Sequence, residues 1–105
     1  MNAEMFQAIV SRQFEHCRTI MEVKAKEYAT SEDRLEHFRI SAQEQETNTK
    51  NALWGMASKH LTSLGRMCRE DSKDMDLWLE KITDAMNYLA LLVALVYEEA
   101  EHEKH

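Results

Sequence analysis

Apolar residues recur along this chain every three or four positions, the spacing that places them on one face of an α-helix. Four stretches follow this pattern, over about residues 3–29, 33–45, 50–69 and 74–101, and short polar segments separate them. Thr30 or Ser31 is suited to cap the second helix. The predicted inward positions are Phe6, Val10, Cys17, Met21, Lys24 and Tyr28 in the first helix, Leu35, Phe38 and Ala42 in the second, and Leu53, Ala57, His60, Leu61, Leu64 and Cys68 in the third.

The composition agrees with an all-α fold. The 105 residues include no proline and two glycines, and these are the two residue types that most disfavour helix interiors. A chain of this length forms one domain and buries only about two thirds of the surface that its unfolded form exposes. We therefore predict a single all-α domain over residues 1–105, resembling a four-helix bundle.

The fourth helix contains an apolar run from Tyr88 to Tyr97 that covers every side of the helix. A membrane span needs about 20 apolar residues, so this run is too short and no membrane partner is expected. A small bundle covers only one face of a helix. The run therefore predicts a subunit interface and a homo-oligomer, with a dimer as the simplest form.

Charge and cysteine content narrow the choice of partners. The formal net charge is −6 and the isoelectric point is near 5.3, which argues against binding to duplex nucleic acid because that affinity comes from many phosphate contacts. The two cysteines match no metal-binding spacing. The first residues alternate charged and apolar side chains and predict no signal peptide. These features predict a protein of the cytoplasm with free thiols.

Two charged residues interrupt apolar stripes. Asp84 shares a helix face with Tyr88, Leu91 and Leu95, and Lys24 lies on the stripe of the first helix. A carboxylate in such a position needs a cation, hydrogen-bond donors or a ligand. We therefore expect Lys24 to pair with Asp84 or with a bound phosphate, the alternative being that its ammonium extends into solvent.

Further side chains are candidates for the same site. Arg34 offers donors for a phosphate or carboxylate, with an ion pair to Glu32 or Glu36 as the alternative. Aromatic rings can stack on a base, and His60 is inward on the third helix, where a satisfied core histidine is the alternative to a ligand. The aromatic and polar candidates are Tyr28, Phe38, Trp54, Lys59, His60, Asn87 and Tyr88.

The order of several motifs resembles a known family. KAKEY at residues 24–28, ALWGMASKHLTSL at 52–64 and the D-x-x-N-Y step of Asp84, Asn87 and Tyr88 look like phage and prophage proteins of a nucleotide-modification-associated domain family. More distantly, the chain is similar to the all-α nucleoside triphosphate pyrophosphohydrolases of the MazG and dimeric dUTPase type. The resemblance covers about residues 24–99 and implies a MazG-like helical fold, a nucleotide ligand and a bacterial host cytoplasm.

The chain departs from the metal-binding pattern of those hydrolases. They hold magnesium through E-E-x-x-E and E-x-x-D segments on adjacent helices, whereas this chain has Lys59 and His60 on the third helix and Lys81 before Asp84 on the fourth. Mg²⁺ prefers oxygen ligands, usually carboxylates. If hydrolysis persists, the ion would be held by Glu27, Glu80 and Asp84.

Three functions follow as hypotheses. The favoured one is a phage-type module that binds a nucleotide or nucleotide derivative between helices one, three and four, and delivers it, sequesters a host signalling nucleotide or hydrolyses it weakly. The second is a residual Mg²⁺-dependent pyrophosphohydrolase. The third is an acidic protein that inhibits a host or defence factor by protein–protein contact, in which Lys24 and Asp84 form only a structural pair.

Overall fold

The computed structural model describes residues 1–28 and 33–103, except for the side chain of Tyr28. These residues form four α-helices and no strand. The helices are α1, Ala3–Tyr28; α2, Glu36–Glu44; α3, Thr49–Glu70; and α4, Met75–Glu103. The prediction of an all-α fold is confirmed. The predicted caps of the second helix, Thr30 and Ser31, lie outside the described residues.

Local side-chain contacts fix the ends of α3 and α4. Asn48 caps α3, because its side-chain oxygen accepts a hydrogen bond of 2.8 Å from the backbone nitrogen of Asn51. Asp71 ends α3 in a left-handed conformation with φ 51°. Asp74 then accepts a bond of 3.1 Å from the backbone of Leu77. The polar segment between the two helices is therefore a defined turn.

α3 and α4 form an antiparallel hairpin, and α2 packs against α3. The direction is evident from Lys50, near the start of α3, which forms an ion pair of 2.9 Å with Glu99, near the end of α4. The core between these helices is small. It consists of buried Leu35, Phe38, Leu53 and Leu95, against which Met56, Tyr88, Leu91 and Leu92 pack.

α1 is the outlying element of the fold. Among the described helices, the backbone of α1 comes close only to that of α4. The four helices therefore do not form a closed bundle in which each helix has two neighbours. None of the described helices is apolar over a length that would cross a membrane.

Burial follows the predicted stripes with two kinds of exception. In α3, Met67 is buried and Cys68 is exposed, the reverse of the prediction, because the inward stripe advances by three residues from Leu64 and not by four. Leu61, also predicted to be inward, is exposed. In α1, Phe6 is exposed because the helix meets α4 only further along its length. Lys24, also predicted to be inward, is exposed as well.

Leu53 provides a test of the core. It is fully buried between α2, α3 and α4, so Leu53→Ala should lower the free energy of unfolding by about 2–5 kcal/mol through lost burial and a residual cavity. Leu61→Ala, at an exposed position of the same helix, should cost much less. Urea denaturation followed by circular dichroism measures both variants, and equal losses would contradict this description of the core.

Candidate functional site

One side of α4 carries three polar residues that bind α1. Gln13 donates a hydrogen bond of 2.9 Å from its Nε2 atom to Oγ1 of Thr83, and Asn87 donates one of 3.1 Å from its Nδ2 atom to the backbone oxygen of Cys17. One turn back from Asn87, Asp84 pairs with α1 through its carboxylate. These contacts hold α1 across the middle of α4.

Asp84 is the centre of this group. Its Oδ1 atom lies 3.1 Å from Nζ of Lys24, and its side chain is 15% exposed against 51% for Lys24. On the other side, Nδ1 of His60 lies 3.9 Å from Oδ2 of Asp84. The ion pair expected from the sequence is therefore present, while the Lys24 side chain also remains half in solvent.

His60 connects Asp84 to the aromatic part of the site. Its ring stacks on that of Tyr88, with centroids 5.1 Å apart and planes at 27°. Tyr88 in turn meets Phe38 edge to face at 6.4 Å. The α3 side of Asp84 is thus occupied by the His60–Tyr88 stack, and open space lies on the opposite side, between α1 and α2.

That space is a cleft of about 610 Å³ between α1, α4 and the segment that leads into α2. Its lining includes the apolar side chains of Met21, Ala25, Phe38, Ile40 and Leu91. Its polar lining residues are Lys24, Asp33, Arg34, Glu36, His37, Asp84 and Asn87, together with the ring of Tyr88. The cleft is therefore lined by side chains of both charges together with apolar residues.

Among the cationic side chains that line this cleft, Arg34 makes the weakest contact with the described part of the chain. Its Nη2 atom lies 3.4 Å from the backbone oxygen of Met21, a long contact. No carboxylate within residues 1–28 and 33–103 forms a salt bridge with Arg34. Glu36, one of its two alternative partners, is among these residues and does not pair with it. Glu32, the other alternative partner, lies outside the described residues. Within the described residues the guanidinium has no ionic partner, so it can bind an anion.

The start of α2, and with it Arg34, is held by an ionic network. Arg39 pairs with Asp33 and with Glu98 at the end of α4. The backbone N–H of Leu35, followed by the positive charge of Arg39, lowers the pKa of Asp33. The bond to Glu98 raises the pKa of Arg39. Both shifts favour the charged forms, and the ion pair between Arg39 and Glu98 holds this segment beside α4.

The described structure brings together only part of the predicted set. Lys24, Arg34, Phe38, Asp84, Asn87 and Tyr88 line the cleft, and His60 contacts it through Asp84 and Tyr88. The ring of Phe38 is buried in the core and forms part of the floor. Trp54 and Lys59 are exposed on α3 and do not line the cleft. The side chain of Tyr28 lies outside the described residues.

The predicted position between helices one, three and four needs one correction, since α2 takes the place of α3 as the third wall. The physical reason is the His60–Tyr88 stack, which fills the α3 side. Gln13 and Thr83 were not predicted to belong to the site. The signal for Gln13 was a polar residue between Val10 and Cys17 on the apolar stripe of α1.

The described residues offer no ready metal site. Glu27 and Glu80 are exposed, and within residues 1–28 and 33–103 no three His, Cys, Asp or Glu side chains are grouped so that they could hold a metal ion. The set of Glu27, Glu80 and Asp84 proposed for magnesium is therefore not assembled in this part of the chain.

Comparisons of the chain with protein-family models, with curated proteins and with solved structures gave no match. The resemblance to phage nucleotide-modification proteins and to MazG-like enzymes accordingly stays a hypothesis.

The Lys24–Asp84 pair can be measured by a double-mutant cycle with Lys24→Met and Asp84→Asn. Because Asp84 is largely buried and Lys24 is half exposed, we expect a coupling free energy of about 0.5–1 kcal/mol in urea denaturation. The matched control is the Lys73–Asp71 pair, at 2.8 Å but with both side chains 82% exposed, for which the coupling should be close to zero. Equal coupling in the two pairs would contradict a specific role for Asp84.

The two thiols should react at different rates. Cys17 is buried beside Gln13 and Met86, and burial raises the pKa of its thiol, whereas Cys68 is exposed. At about pH 8 a disulfide reagent should label Cys68 quickly and Cys17 only after unfolding, because the thiolate is the reactive form. Cys68→Ser should remove the fast phase. A fast phase that persists in this variant would show that Cys17 is accessible.

Proposed function

We propose that this protein binds a nucleotide-like small molecule, with an anionic group and a flat ring system, in the cleft between α1, α2 and α4. The supporting observation is the Arg34 guanidinium, which borders an apolar-floored cleft without an ionic partner in the described structure. An unpaired guanidinium beside apolar surface suits a ligand that is anionic at one end and apolar along its faces.

The size of the cleft agrees with this proposal. Small-molecule sites usually enclose about 300–1,000 Å³ and have an apolar lining with a few placed polar groups. The volume here is about 610 Å³. The ring of Tyr88 and the side chains of Met21 and Leu91 offer surfaces for a base, and Asn87, whose Nδ2 atom is bound to Cys17, retains its Oδ1 atom as an acceptor.

Lys24 adds a second cation for the anionic group. Its side chain is long and half exposed, so its ammonium can turn from Asp84 to a ligand phosphate while the rest of α1 stays in place. Asp84 would then need a replacement partner, and the His60 imidazole at 3.9 Å is the nearest group able to supply a positive charge. In this proposal Arg34 and Lys24 bind the phosphate, and Asp84 with Asn87 reads the base or sugar.

The proposal concerns binding and not hydrolysis. The described residues contain no group of side chains that could hold magnesium, so hydrolysis has no support from them. In a phage setting, a binder of this kind would deliver a nucleotide to a modifying enzyme or sequester a host signalling nucleotide. The alternative of an inhibitor of a host or defence factor is favoured by one observation, the Lys24–Asp84 ion pair, since a purely structural pair needs no ligand.

Ligand-induced stabilisation tests the proposal. Mono-, di-, tri- and cyclic nucleotides, with modified bases included, should be added to the protein in a thermal-unfolding panel without metal. A true ligand at one hundred times its Kd is expected to stabilise the fold by about 2.7 kcal/mol. Arg34→Gln should weaken binding about tenfold or more through the loss of a charge-assisted contact. The matched control, Arg66→Gln, changes an exposed arginine on α3 that does not line the cleft.

Two results would contradict nucleotide binding in this cleft. One is a flat response across the whole panel, which favours the protein-interaction alternative. The other is a ligand whose affinity is the same in Arg34→Gln as in the wild type, since the binding site must then lie elsewhere on the molecule.

A further inference from the structure

The surface of this chain is larger than its mass requires. A compact monomer of 12.3 kDa is expected to expose about 6,100 Å², whereas this chain exposes 8131 Å². Its radius of gyration is 16.0 Å, against about 13 Å expected for a compact domain of this length. About a quarter of the exposed area, or roughly 2,000 Å², is therefore in excess of the compact value. The radius of gyration agrees that the fold is more extended than a compact domain.

Part of the excess is an ordered apolar row along α4. Spacings of four and three residues alternate along the row without a break, which is the repeat of a coiled-coil seam. The row consists of Met75, Leu79, Ile82, Met86, Leu89, Val93 and Val96. Within it, Met75, Leu79, Leu89, Val93 and Val96 are between 41% and 66% exposed. We call this row the α4 seam.

The seam is on a different side of α4 from the core. Tyr88, Leu91, Leu92 and Leu95 face α2 and α3, and the seam residues are offset from them around the helix. α1 crosses at Met86, where Gln13 and Cys17 contact the sulfur. Elsewhere the seam has no covering helix among those described. An uncovered apolar row of this length is the mark of an interface.

We propose that the part of the α4 seam beyond the crossing of α1, from Leu89 to Val96, is covered by the same part of a second copy of this chain, forming a homodimer. The excess exposed area of the chain is of the size that a homodimer interface requires. Obligate homodimers bury about 2,000–5,000 Å² in total, or roughly 1,000–2,500 Å² per chain, and the excess surface of this chain falls in that range. This excess belongs to the whole chain and includes exposed apolar residues of α1, such as Phe6 and Phe14, so an interface along α4 would take up part of it.

The identity of the seam residues and their neighbours supports the same dimer. Beyond the crossing of α1, the seam residues Leu89, Val93 and Val96 are aliphatic and exposed, which suits packing against an identical apolar row. The positions that flank the seam beyond the crossing of α1 are uncharged: Ala90, Leu92 and Tyr97. Each chain carries a net charge of −6, so two copies repel elsewhere. The uncharged flanks let identical seams meet without like charges facing each other.

The mass of the wild-type protein and of two neighbouring variants tests this dimer. Light scattering after size exclusion should give twice the chain mass of 12.3 kDa for the wild type. Val93→Glu places a charge in the seam and should shift the mass to that of one chain. Ala94→Glu, at the next and also exposed position of α4 but off the seam, introduces the same charge and should leave the dimer intact.

If Val93→Glu fails to fold, Val93→Ala is studied by sedimentation over a dilution series. The dissociation constant of its dimer should be about tenfold higher than that of the wild type and of Ala94→Glu. A wild-type mass of one chain at all concentrations overturns the proposal. So does an assembly that Val93→Glu or Val93→Ala leaves unchanged, because its interface must then be another surface.

Discussion

The position of α1 on α4 depends on polar contacts at the middle of α4. Thr83, Asp84 and Asn87 each bind a group of α1: the amide of Gln13, the ammonium of Lys24 and the backbone oxygen of Cys17. Because the backbone of α1 approaches no other described helix, these bonds and the apolar contacts beside them decide where α1 crosses. Hydrogen bonds are directional, so they fix this crossing more narrowly than apolar packing would.

The cleft follows from that crossing. α2 is held on the other side by its packing on α3 and by the ionic bonds of Arg39 to Asp33 and Glu98. α1 and α2 thus reach α4 from different anchors and leave a space between them. The groups that fix α1, namely Lys24, Asp84 and Asn87, are also polar groups of the cleft wall, so a ligand there would act directly on the contacts that hold α1.

Two features of this arrangement could be predicted from the sequence: the Lys24–Asp84 pair and the buried face of the second helix. Lys24 and Asp84 stood out because a charge in an apolar stripe requires a partner, and the burial of Leu35, Phe38 and Ala42 followed from helical spacing. Gln13 was missed because the stripe of α1 was read from its apolar residues and Lys24, and an uncharged glutamine on the stripe was not considered. The choice of α2 over α3 as the third wall was missed because it depends on the stacking of His60 on Tyr88 between two helices, and no local pattern encodes that contact.

Hydrogen exchange in Asn87→Ala tests the central claim, that polar bonds to α4 hold α1 in place. The account predicts that amides of α1 near Cys17 lose protection by about tenfold, in keeping with the loss of one buried hydrogen bond. Amides around Leu53 and Leu95, in the core of α3 and α4, should keep the protection that they have in the wild type. Unchanged exchange in α1, or an equal loss of protection in all helices, would contradict the account.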